Sequence, residues 1–117
     1  SALAYATEVL LHLVPTDSVS RAEMEINVAL IAEAGADREL LRIRDRARNE
    51  LYRLCRRLLA RIRPDADEER LDERARRLHL VINGLAFHLV QEKPGASRQW
   101  ARSVIEEELR AWSATID

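Results

Sequence analysis

The chain is poor in the residues that build turn-rich, cross-linked or membrane-spanning folds. Its 117 residues include three glycines, three prolines and one cysteine. The lone Cys55 excludes an intrachain disulfide and fits a reducing, cytoplasmic setting. No apolar run approaches the length of a bilayer span, so no membrane partner is expected. The first ten residues lack the basic region of a signal peptide. Lysine is nearly absent, Lys93 being the sole example, and the arginine bias reads as codon usage. With a formal net charge of −1, binding to DNA by charge alone is not a property of the whole chain. No stretch keeps up the alternation of a strand.

What remains is helical. Charged residues make up 33% and hydrophobic ones 47%, a balance that suits one soluble domain with a real core. The glycines and prolines fall at punctuation points, Gly84 excepted, and divide the chain into five amphipathic segments. The first spans about Ala2 to Val14, with Leu3, Ala6, Leu10 and Leu13 on one face and Pro15 ending it. The second starts near Ser18 or Ser20, where Ser20 and Glu23 form a capping-box pattern, and ends at Gly35. Its VALIA run at 28–32 is apolar all round, so this helix is expected to lie deep in the domain. Asp37 caps a third helix running to about Ile62, with Leu40, Ile43, Ala47, Leu51, Leu54, Leu58 and Ile62 at steps of three and four. Pro64 closes it. Asp65, Asp67 or Asp72 could start the fourth, which runs to about Gln91. The fifth covers about Ser97 to Ser113, with Ala101, Ile105, Leu109 and Trp112 on one face, Val104 beside them and Trp100 flanking. The expectation is an all-α, five-helix, antiparallel bundle-like domain.

The fourth helix is apolar on two sides. Leu71, Ala75, Leu78, Ile82, Leu85 and Leu89 share one face at 100° per residue, while Leu80, Gly84 and Phe87 lie roughly opposite. A central core helix would explain this, but five helices cannot easily enclose two, and the second helix already claims the centre. A partner chain on the second face explains it better. Glycine then removes a side chain where another helix comes close, offsetting its cost of about 1 kcal/mol in a helix. The last two helices of each of two chains are thus expected to form a four-helix bundle across a homodimer. Leu80, Gly84, Phe87, Trp100, Val104 and Ile105 are the expected contacts.

Candidate ligand-binding residues are the polar or soft side chains set among apolar ones: Tyr5, His12, Met24, Asn27, Tyr52, Cys55 and His79. Each also has a plain structural reading, Met24 and Cys55 as core residues and Asn27 as a side chain bonded to nearby backbone. His79 and His88 are nine residues apart and face opposite sides, so they cannot share a metal within one helix. No metal, cofactor or catalytic residue is expected. Paired carboxylates at a recognisable site, a phosphate-binding glycine loop and a nucleophile–base motif are all missing, so the chain does not read as an enzyme. Nine arginines fall between Arg42 and Arg63, with Arg42, Arg46, Arg53 and Arg57 in a stripe opposite the apolar one. A solvated helix face accounts for them better than nucleic-acid contact does.

The stretch RLHLVINGLAFHLV, residues 77–90, resembles the RLHALVDGLALH-like helix in the C-terminal domain of TetR-family transcriptional regulators, especially the BetI-type branch. The long preceding helix, ELLRIRDRARNELYRLCRRLLARI, and the closing WARSVIEEEL share the family's character, so the resemblance covers essentially the whole chain. Asn83 stands where the family usually has aspartate. The chain opens on SALAYATEVL, already helical in pattern, which reads as a piece of a longer protein or as a processed or tagged N-terminus; the resemblance implies a helix-turn-helix preceding Ser1. The resemblance implies an effector-sensing and dimerisation domain: a homodimer that binds a small, mostly apolar effector and meets operator DNA only through that N-terminal domain. Effector binding would change the spacing of the DNA-reading heads. The alternative is a helical homodimerisation module without a ligand.

Overall fold

The computed structural model describes residues 1–14, 22, 23, 25, 26, 29, 32, 33, 37–92 and 98–115. Among them it is all helix, with no strand. Four helices are laid out in full: α1 (Ala2–His12), α2 (Arg38–Ile62), α3 (Glu68–Val90) and α4 (Arg98–Ala114). The expected second helix falls largely outside the described residues. The seven described there are helical and exposed, Ile26 at 60%, against the expectation that this segment lies deep.

Local chemistry sets the ends. Ser1 caps α1 by accepting the Ala4 N–H at 3.1 Å. The Asp37 carboxylate accepts the N–H groups of Glu39 and Leu40 at 2.9 and 3.2 Å and caps α2. Of the candidate starts for α3, Asp67 is the cap: it accepts from the Arg70 N–H, and Glu68 and Glu69 fill the first turn, where acidic groups suit the helix dipole. Arg63 ends α2 with φ −132° and ψ 84°, away from the helical region that a following proline disfavours.

α1 packs chiefly on α4, and α2 chiefly on α3, with α1–α2, α3–α4 and α2–α4 contacts joining the two pairs. The core gathers the apolar stripes of all four. Leu71, Ala75, Leu78, Ile82, Leu85 and Leu89 of α3 are buried, and so are Ala101, Ile105, Leu109 and Trp112 of α4, as their spacing predicts. On α1 the buried set is Ala6, Leu10 and Leu11, with Val14 just beyond the helix. Leu13, expected on that face, is instead 39% exposed, because the helix gives way to a turn after His12.

α2 departs most from its periodicity. Only Cys55, Leu58 and Leu59 are buried. Ile43 is 58% exposed and Ala47 is exposed, although both lie on the expected stripe. A helix of 25 residues is about 37 Å long, and only its C-terminal half meets the core.

One hydrogen bond ties the C-terminal ends of α2 and α4 together. The buried Trp112 indole N–H donates to the Leu59 carbonyl at 2.9 Å, and the Arg63 guanidinium lies 4.3 Å from the centre of the Trp112 ring. The body measures 43 × 34 × 16 Å. Helices pack 8–10 Å apart, so its thinnest direction holds about two layers, too few to wrap α3 on every side. The radius of gyration, 15.1 Å, exceeds the roughly 13 Å of a compact domain of this length.

Candidate dimer face and effector site

The side of α3 turned away from the core is bare. Leu80 is 73% exposed and Phe87 58%. Gly84 lies between them, and a Cβ built on it meets no atom within 4 Å. Nothing among the described residues therefore demands glycine here, and a central core helix is the wrong picture of α3. Asn83 and His88, on either side of this stripe, are also exposed.

α4 extends the surface. Its Glu108 accepts two hydrogen bonds from Arg77 of α3, at 3.1 and 3.3 Å, so the antiparallel helices are level at that point. Equal rise along both puts Gly84 level with Ala101. Trp100, beside that level, is 46% exposed and Val104 is half-buried. Ile105, expected among the partner contacts, is a correction: it is wholly buried in the core of its own chain and has no surface left for a partner. Its i+4 spacing from Ala101 and Leu109 puts it on the inner face, one position away from Val104. The chain exposes 7805 Å² against about 6,500 Å² for a compact monomer of 13.4 kDa.

The candidate ligand residues do not all meet. Tyr52 and His79 do, their ring centres 6.5 Å apart across α2 and α3. The Tyr52 hydroxyl donates to Asp72 at 3.4 Å, and Asp72 also accepts from Arg56 at 2.7 Å. Arg56 pairs with Glu68 as well. Its guanidinium, beside Asp72 above all, holds that carboxyl below the usual range. The His79 Nε2 is buried with no hydrogen-bond partner among the described residues. Burial first, and then the Arg48 charge, lower the His79 pKa, so the ring is neutral at pH 7 and presents either a donor or an acceptor at Nε2.

Cys55 is fully buried in the core, and burial pushes its thiol up to about 12. It packs as a small apolar side chain. Tyr5 is half exposed with the Arg61 guanidinium 4.5 Å from its ring centre. His12 is exposed, its Nδ1 2.7 Å from the Glu8 carbonyl one turn back. Neither residue joins the Tyr52–His79 pair through any contact among the described residues. Met24 and Asn27 lie outside those residues. No group of His, Cys, Asp and Glu able to hold a metal occurs among the described residues, and no helix there is long and apolar enough to cross a membrane.

The basic stripe of Arg42, Arg46, Arg53 and Arg57 is exposed, as a solvated face should be. Interhelical ion pairs use other arginines, among them Arg56 towards α3, Arg77 towards α4 and Arg102 towards Glu8 of α1. The partners of Arg56 and Arg77 are sixteen and thirty-one residues away, and no local spacing signals such pairs.

No curated protein and no solved structure matches the chain. A family model does: that of the BetI-type transcriptional repressor, C-terminal domain, over residues 3–113. The match spans all four helices, including the bare side of α3 and its glycine, and the chain belongs to this family of TetR-type transcriptional regulator domains.

Proposed function

We propose that the chain is the effector-sensing and dimerisation half of a DNA-binding transcriptional regulator, a repressor released from its operator by a small, mostly apolar ligand. It works in the cytoplasm as a homodimer and reaches DNA through a helix-turn-helix domain that precedes Ser1. The observation that carries this reading is the exposed apolar stripe of Leu80, Gly84 and Phe87 on a chain of this family. Trp100 and Val104 continue the stripe onto α4. Two copies related by a two-fold axis would cover it with a four-helix bundle of α3 and α4.

The Tyr52–His79 pair is the polar end of the effector site. A buried, unbonded imidazole nitrogen is costly unless something pairs with it, and a ligand's single polar group does so. An effector that binds one dimer geometry more tightly than another shifts the population between them, and operator affinity follows.

Sedimentation velocity over a concentration series tests the dimer. The wild-type chain should associate, and Leu80→Glu or Phe87→Glu, each placing a charge on the stripe, should sediment as a monomer with unchanged helix content by circular dichroism. A wild-type chain that stays monomeric at high micromolar concentration would refute the reading.

A further inference from the structure

The far end of the molecule holds a second site. An open depression lies between the N-terminal half of α3 and the C-terminal end of α4, lined by Arg70, Glu73, Arg74, Arg77, Trp112 and Thr115. Arg70, Arg74 and Arg77 follow one another at steps of four and three, which puts their side chains on one face of α3. α4 supplies Trp112 from below.

Arg74 is the unusual member. Its side chain is only 22% exposed. None of its nitrogens is sealed from solvent without a partner, so water at the mouth of the depression serves the donors that the protein does not. Its ion partner is Glu108, at 3.9 Å, too long for a hydrogen bond. Glu108 is already engaged by Arg77 through two shorter bonds. The Trp112 ring, 5.8 Å away, gives it a weak cation–π contact. Arg74 thus faces an open depression without a hydrogen bond to any other side chain among the described residues. Thr115 is not a competing donor, since its hydroxyl proton goes to the Ala111 carbonyl at 2.7 Å.

We propose that this depression binds a small oxyanion, a carboxylate or a phosphate, in the fork of Arg74. Planar guanidinium and planar or tetrahedral oxyanion match in a bidentate pair, and the partial burial of Arg74 strengthens it. Arg70 and Arg77, the latter paired with Glu108, flank it on the same face of α3. Glu73 opposes it from the rim and sets a preference for ligands whose charge sits deep, against Arg74. The site shares no residue with the Tyr52–His79 pair or with the apolar stripe, which begins one turn beyond Arg77. A ligand there braces α3 against α4, the two helices whose outer sides form the proposed dimer face.

Isothermal titration at constant ionic strength, with potassium chloride as the reference salt, tests the site with two probes. Pyrophosphate and succinate separate a phosphate ligand from a carboxylate one. At least one probe should bind saturably at one site per chain. Arg74→Gln should weaken it about tenfold or more, the loss of a charge-assisted fork. Glu73→Gln should tighten it several-fold, and Arg53→Gln, on an exposed part of α2, should leave it unchanged. If Arg74→Gln does not fold, Arg74→Lys keeps the charge and loses the fork, and should still bind more weakly than wild type. No saturable binding with either probe, or binding that is indifferent to Arg74 and to Glu73, would overturn the proposal.

Discussion

Gly84 offers a sharp test, because the two surroundings proposed for it predict opposite signs. In the single chain, a side chain at Gly84 projects into open space. Replacing glycine by leucine there should stabilise α3 by roughly 0.7 kcal/mol, the propensity difference alone. In a dimer the same position faces a partner helix at close range. Overpacking costs about 1–3 kcal/mol per site, and a homodimer carries the change twice, so association should weaken by about 2–6 kcal/mol. At 1.4 kcal/mol per decade that is a Kd raised roughly 30-fold or more. Sedimentation velocity measures the Kd. Urea denaturation of Gly84→Leu in a Leu80→Glu background, where association is already blocked, measures the gain in the lone chain. A rise in single-chain stability with an unchanged dimer Kd would refute the close approach of two helices at Gly84 and leave the glycine unexplained.

Three further outcomes follow from the packing. Trp112→Phe removes an indole N–H bonded to the Leu59 carbonyl, but that carbonyl also accepts the Arg63 N–H at 3.0 Å, so no acceptor is stranded. The loss, from one hydrogen bond and some ring volume, should be about 2 kcal/mol by urea denaturation, below the 3–5 kcal/mol of a Trp→Ala change. Cys55, with its thiol at about 12 and fully buried, should resist thiol reagents in the native state and react only on unfolding, as a denaturant series with a chromogenic disulfide reports. The His79 pKa lies below its ordinary 6.5, so the unfolded chain takes up a proton first as pH falls. The His79 contribution to stability is therefore intact above 6.5 and declines as pH drops through it; His79→Gln should flatten that part of the denaturation profile, and an unaltered slope would contradict it.

Periodicity told which side of each helix was apolar, and the four helices laid out in full begin and end within a few residues of their expected ends. It could not tell what covers an apolar side. Ile43 and Leu58 hold equivalent places in the same stripe, yet one is exposed and the other buried, because the core meets only the second half of α2. The two apolar sides of α3 were legible, and so was which of them the chain's own core takes: Leu80 and Phe87 are left exposed. Ile105 shows the angular resolution of such reading: adjacent to Val104 in sequence, it turns fully inward. The candidate ligand residues were chosen by type within apolar runs, and type says nothing of convergence. Tyr52 and His79 meet because α2 and α3 run antiparallel, while Tyr5 and His12 turn outward on α1. The Trp112–Leu59 bond joins residues fifty-three apart and belongs to the tertiary fold alone.

That bond also gives α2 the mechanics of a lever. It is clamped near Leu59 and Arg63 by Trp112, while from Arg38 to Glu50 it buries no side chain. The free arm, from Arg38 to Glu50, is about 18 Å long, so a bend of 5° where it meets the core carries its tip about 1.6 Å. Tyr52, opposite His79, sits at the root of that arm, two residues past Glu50, where a small displacement is amplified at the tip.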